Sequence, residues 1–348
     1  MHVNFVKEFY GTHEIDWVKK TPEVYKHFGF DVIHRNCSPV PEALGPAGPN
    51  WEVERDTRMN GRDEVITTVI HTPDGDLRCI EALNWTYEYD AEAAPLEYPI
   101  QSEEDFELFV RYQPAMGSVD MTDVRRAREA VGDDGVTAPW IQGAFNLLAF
   151  HYRKLDDLLT DAMLNPDFYH RMMRYFLDRY KPFVTEIIEA GADVLSYAGN
   201  IANAKLVSPR FYRTYILPYE QEFVEFIQSQ GAVALYHNCG YAQNLLPTYA
   251  ELKLGAYESL TPLPYGDTTL ADAVEILGPG TTLSGNIDQI TLLREGTPAE
   301  IEAAVKETLD TVRGRCSFIL ATTDYFNEAT PHDSVHVLAD TGLKHGQL

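Results

Sequence analysis

From Thr137 onward, strand-like and helix-like segments take turns along the chain, and no other feature narrows the fold so far. Short runs of β type occur at TAPWIQGAF, ADVLSYAGN, AVALYHNCG, AYESLTP, TTLSGNID and CSFILATTD. Between them lie segments of helical period, such as SPRFYRTYILPYEQEFVEFIQSQG and TPAEIEAAVKETLDTVRG. Ser208-Pro209 and Thr297-Pro298 read as N-cap and first-turn pairs, and Gly231 and Gly314 as helix stops. Alternation repeated this often predicts parallel strands joined by crossover helices. An open nucleotide-binding sheet would carry a G-x-G-x-x-G or P-loop after an early strand, and the sequence has neither. The strands are apolar early and polar at their C-terminal ends, the polarity that a closed barrel uses to build its site. A (β/α)8 TIM barrel is therefore expected, with the 348 residues forming a single barrel domain.

The first 130 residues read differently, as N-terminal helices and a β-hairpin elaboration within that domain. A helical opening from Ile15 to Phe28 and a strand-like DVIHRNC precede a loop rich in Pro and Gly from Ser38 to Asn50. The alternating runs DEVITTVIHT and DLRCIEALNWTYEY are joined by Pro73-Asp74-Gly75, a strong hairpin signal and a sign of antiparallel structure.

Charge excludes some partners. Asp and Glu number 53 against 28 Lys and Arg, a formal net charge of −25, which repels phosphate backbones and anionic lipid. No stretch approaches the ~18 apolar residues of a membrane span. The opening MHVNFVKEFYGTHEIDWVKK lacks an apolar signal core, and the four cysteines are too scattered for a disulfide framework. A cytoplasmic protein bound to neither nucleic acid nor membrane is expected.

The sharpest chemical signal is AVALYHNCG. Period-2 geometry places His237 and Cys239 on one face of an extended segment, and imidazole with thiolate is a preferred pair for Zn²⁺. Two other strand tips offer a third ligand, Glu258 in AYESLTP and Asp324 in CSFILATTD. Three protein ligands and an open fourth position would make a catalytic site. Cys316 begins its strand and is excluded, while Cys37 reads as a buried thiol. Asp288, Tyr197, Asn200, Trp140, Phe145 and Arg35 fall at other strand ends and are candidates to line a substrate pocket. His71, His332 and His336 read as structural or solvated.

Taken jointly, HNCG, ESLTPLPYGDTTLADA, SGNID with the EGTPAEI helix start, and FILATTDYFNEATP resemble the uroporphyrinogen decarboxylase superfamily, in its branch of cobalamin-dependent methyltransferases. The resemblance runs from about Asp16 to Leu343. It implies zinc, a corrinoid (cobalamin) cofactor carried by a partner protein, a small-molecule methyl donor or acceptor, and a barrel that often forms homodimers. Thiol-activating members hold zinc with the His and Cys of H-x-C and a Cys near the end of the last strand. That last position is Asp324 here, a harder ligand that favours oxygen, so an O-demethylase-like enzyme acting on a methoxy or alkoxy compound is expected, with a thiol as the alternative. Decarboxylases of the superfamily carry an R-Q-A-G-R segment, of which only Arg35 in HRNCSPVPEALGPAG remains. Two other readings stay open. One is a metal-free decarboxylase or lyase using Arg35 and Asp288, and the other is a non-catalytic protein binding a tetrapyrrole or corrinoid.

Overall fold

In the computed structural model, residues 1–12, 14–87, 90–326 and 328–346 are described. The strands in chain order are β1 (Val32–His34), β2 (Glu52–Asn60), β3 (Asp63–Thr72), β4 (Gly75–Tyr87), β5 (Asp90–Glu97), β6 (Gly135–Thr137), β7 (Trp140–Gln142), β8 (Val194–Ala198), β9 (Val233–His237), β10 (Ala256–Ser259), β11 (Thr282–Ile287) and β12 (Phe318–Thr322). They are distributed over two compact units.

The first unit comprises Met1–Pro39, Met121–Gly143 and Val184–Leu348. Strands β7 to β12 form a six-stranded sheet in sequence order, every pair parallel. β1 pairs in parallel with β6, and the chain then runs through Ala138 and Pro139 into β7. The Ala138 N–H donates to the His34 carbonyl, and the Pro139 carbonyl accepts from Ser196, so the backbone hydrogen bonding carries on across the bend. Parallel strands in sequence order with helices between them make the α/β barrel expected from the alternation. Every strand-like run named from Thr137 onward contains an observed strand.

The helix boundaries follow local chemistry. Thr297 and Glu300 form a reciprocal capping box at the start of helix Pro298–Val312, and the Ser208 hydroxyl accepts from the Phe211 N–H ahead of Pro209. The helical run 209–229 is interrupted at Tyr212–Ile216 by a π-turn. Among the described residues no helix is long and apolar enough to cross a membrane.

Tyrosines fill the layer between strands and helices. Tyr197, Tyr236 and Tyr257 stand in register on β8, β9 and β10, each fully buried. Tyr212 and Tyr249 come down from the helices, and the Tyr212 and Tyr236 hydroxyls meet at 3.0 Å. These rings supply large apolar area, and their hydroxyls need partners once water is excluded. Gly199 makes room for them, because a Cβ there would lie 2.0 Å from the Tyr236 ring.

The second unit comprises Val40–Asp120 and Ala144–Phe183. Its sheet is an antiparallel meander in the order β2-β3-β4-β5. Thr72 pairs with Gly75 across Pro73-Asp74, the hairpin that the turn residues predict. Of the second alternating run, Glu88 and Tyr89 lie outside the described residues, as does Asn327 of the FNEATP motif. Trp51 is fully buried, its indole N–H donating to the Leu44 carbonyl at 3.1 Å, and Tyr152 stacks on Phe176 with ring centroids 3.7 Å apart.

The tyrosine layer gives a stability test. Gly199→Ala should cost about 1–3 kcal/mol by overpacking, and more if Tyr236 cannot yield. Gly280→Ala, which meets nothing within 4 Å, should shift the urea midpoint little. Equal midpoints for the two variants would show that Gly199 is not holding a packing constraint.

Candidate metal centre

The site is assembled by strand register. Glu258 on β10 pairs with His237 on β9, and side chains in register on parallel neighbours share a face. The preceding pair, Tyr257 and Tyr236, consequently faces the helices, while His237 and Glu258 face the barrel interior. His237 Nδ1 lies 2.8 Å from Glu258 Oε1, and because a carboxylate only accepts, that nitrogen carries the proton. Arg35, just beyond β1, grips the same carboxylate with both amino groups, Nη1 to Oε1 at 2.9 Å and Nη2 to Oε2. Its guanidinium also stacks over the Trp140 ring at 4.9 Å. Trp140 in turn meets the His237 imidazole edge-on, with ring centroids 5.0 Å apart.

With Nδ1 committed to Glu258, His237 turns Nε2 toward Asp324, whose Oδ2 is 3.9 Å away. His237, Cys239 and Asp324 each offer one ligand atom, and these atoms lie within 4.8 Å of one another. A nitrogen, a sulfur and an oxygen so close, on a buried histidine and two half-buried partners, are a donor set that fits a zinc-type ion. Asp324 follows the end of β12, and its Oδ1 accepts from the Tyr325 N–H at 2.8 Å.

The electrostatics follow from the contacts. Burial disfavours a charged imidazole, yet hydrogen bonds to Cys239 and Glu258, with the charges of Glu258 and Asp324, carry the His237 pKa up to about 10. Burial would also raise Glu258, but the Arg35 charge and the His237 hydrogen bond outweigh it and bring the carboxyl down to about 2. Tyr25 is pushed up to about 12 by burial and by Glu258, against the opposing pull of Arg35, and stays a neutral phenol.

The other pocket candidates do not all arrive. Tyr197 is in register with Tyr236 and shares its face, packing against Phe223 in the helix layer, so the structure removes it from the interior. The parity of the strand decides this: one residue either way would have reversed it. Asp288 is occupied in a local turn, accepting from Ile290 and Thr291 N–H groups at 2.8 and 3.0 Å. The nearby Asn286 accepts from Thr308 on helix Pro298–Val312. Asn200 opens a short 3-10 turn, where its carbonyl accepts from Asn203. Phe145 belongs to the second unit, buried in helix Ala144–His151 rather than ending a strand. Cys37 is buried, its thiol pushed up to about 12 by desolvation.

The strand-tip reading missed Tyr25, Ser259 and Asn238. Ser259 sits at φ 87° and Leu260 at φ 50°, left-handed conformations that cost a residue with a side chain. This turn brings the Ser259 hydroxyl within 3.3 Å of His237 Nδ1. A conspicuous signal for it was its place beside Glu258 in ESLTP; Tyr25, on helix Trp17–His27, left none.

In chelated protein the pair should shape the pH dependence of stability. His237 has a raised pKa, so its contribution is complete below 6.5 and is lost as pH rises toward 10. Glu258 has a lowered pKa, so its contribution is complete above 4.5 and is lost as pH falls toward 2. Melting temperatures between pH 6 and 10 should fall more steeply for the wild type than for His237→Ala. Parallel slopes would contradict the assigned charge on His237.

Comparison with known proteins shows what the chain as a whole is similar to. The protein with which the chain aligns over 219 residues at 22% identity is the methylcobamide:CoM methyltransferase MtbA of Methanosarcina mazei, 62% of each chain being covered. The chain thus spans somewhat less than two thirds of that relative. A uroporphyrinogen decarboxylase of Gloeobacter violaceus is 24% identical over 255 residues, covering 71% of this chain and 70% of its own. Among solved structures, a methyltransferase from Methanosarcina mazei superposes with a TM-score of 0.59 at 20% identity, over 74% of this chain and 73% of that one, a likeness of fold. The family model for uroporphyrinogen decarboxylase (URO-D) matches residues 77–344, and the chain belongs to that family.

Proposed function

We propose that this protein is a zinc-dependent methyltransferase that moves a methyl group between a small substrate and a corrinoid carried by a partner protein. The observation that carries the reading is the convergence of His237, Cys239 and Asp324 within 4.8 Å at the C-terminal ends of their strands. Relatives named as methylcobamide:CoM methyltransferases support the corrinoid part. His237, Cys239 and Asp324 would hold the zinc, which would supply Lewis acidity toward the heteroatom that carries or receives the methyl group.

The protein's own side chains prepare that site. Glu258 holds the His237 Nδ1 proton and thereby fixes the tautomer that leaves Nε2, which faces Asp324, free to bind a metal. Arg35 keeps Glu258 ionised, which makes the imidazole a stronger donor. Glu258 is better placed for this supporting role than for ligation, since its oxygens are engaged by Arg35 and His237. Trp140 braces both Arg35, which lies over its ring, and the His237 imidazole, which it meets at right angles. Asp324 in place of a second thiolate favours an oxygen leaving group, so a methoxy or alkoxy compound is the proposed substrate. The metal-free alternative draws less support, because Arg35 is spent on Glu258 and Asp288 on its own turn.

Elemental analysis of wild type, His237→Ala and Cys239→Ser tests the metal. Zinc near one equivalent in the wild type, as a single three-ligand site demands, should be lost from both variants. Methyl transfer, followed by cobalamin absorbance with methoxylated compounds and with thiols, should vanish with it. A zinc-free wild type would refute the mechanism and bring forward a metal-free decarboxylase. Transfer with thiols alone would refute the preference for oxygen.

A further inference from the structure

Asn238 separates the two proposed ligands His237 and Cys239, and strand geometry sends its side chain away from them. It is fully buried. An amide in that position is costly unless both of its ends are partnered. Its Nδ2 donates to the Tyr249 hydroxyl at 2.8 Å, and its Oδ1 accepts from the Gly240 N–H at 3.0 Å. The second bond runs from residue 238 to residue 240 and so closes a ring around the backbone of Cys239. The first ties that ring to helix Leu246–Glu251, where Tyr249 is itself fully buried. Beyond the ring, Asp267 Oδ1 accepts from the Ala242 and Gln243 N–H groups at 2.7 and 3.0 Å and holds the continuing loop.

We propose that Asn238 and Tyr249 are positioning residues that set the Cys239 thiol beside His237, Tyr249 acting through Asn238. The inference rests on the metal-site reading above and extends it to groups that touch neither metal nor substrate. Without the clamp, Cys239 sits on a loose turn, while His237 remains held by Glu258 and Asp324 by its own backbone. Loss of the clamp therefore weakens sulfur ligation selectively.

The test uses Co²⁺ as a spectroscopic substitute in the whole 348-residue chain, with the variants Asn238→Ala, Tyr249→Phe and the double variant. Tyr212→Phe serves as control, since it removes a buried hydroxyl bonded to Tyr236 without touching Asn238. Asn238→Ala and Tyr249→Phe should lower Co²⁺ affinity by about 10–100-fold. They should also diminish the thiolate-to-cobalt absorption relative to the visible cobalt bands. The double variant should be no worse than Asn238→Ala alone, and Tyr212→Phe should keep the wild-type spectrum. Wild-type affinity and spectrum in both single variants would overturn the proposal, as would an equal spectral loss in Tyr212→Phe. Additive losses in the double variant would overturn the route through Asn238. A wild type that binds no Co²⁺ would overturn the metal reading itself, an outcome distinct from binding that ignores the clamp.

Discussion

The chain Arg35–Glu258–His237 is the constraint on which the site depends. It joins β10 and β9 to the end of β1, and Arg35 and Glu258 are 223 residues apart in sequence. A carboxylate this deep would surrender its charge if left alone, and two opposite charges with good geometry allow it to remain ionised. The cost of burial makes the arrangement mutually dependent. Removing Arg35 would strand Glu258, and removing Glu258 would free the imidazole to rotate and take either tautomer. Trp140 packs against both ends of the chain, lying under Arg35 and meeting His237 at right angles.

Each strand at the site serves two environments in alternate residues. Tyr236 and Tyr257 face the helices and belong to a dry aromatic layer, while their immediate successors His237 and Glu258 face the interior and carry charge. Register couples the two, so a packing fault among the tyrosines would be transmitted to the ionic groups one residue away. Asn238 returns to the tyrosine side, and its amide is the point where the layer's hydroxyls reach the turn that carries Cys239. The strained backbone at Ser259 and Leu260 lies at the same end of the barrel, consistent with strain collecting where a site is held in shape.

Much of the architecture is legible in the sequence. The strand–helix alternation, the Thr297-Pro298 and Ser208-Pro209 caps and the Pro73-Asp74 hairpin are all local effects, decided by dihedral preferences and side-chain-to-backbone bonds over a few residues. The family was legible as well, since its motifs are short and contiguous. The pocket was read less well. Trp140 and Arg35 reach the His237 neighbourhood, whereas Tyr197 turns to the helix layer and Asp288 caps its own turn, because nearness to a strand end does not say which face a residue occupies or whether a turn has already claimed it.

The sequence by itself determined the barrel, the placement of His237 and Cys239 two apart on a strand end, and the presence of carboxylates at other strand ends, because periodicity and chain order are written in neighbouring residues. Only the tertiary structure decided which carboxylate does what. Asp324 is turned toward Nε2 and Glu258 is locked to Nδ1 by an arginine from the far end of the chain. That division depends on distances of a few ångströms between strands remote in sequence, and Coulomb and hydrogen-bond energies at such distances depend on register and burial, which no local pattern encodes.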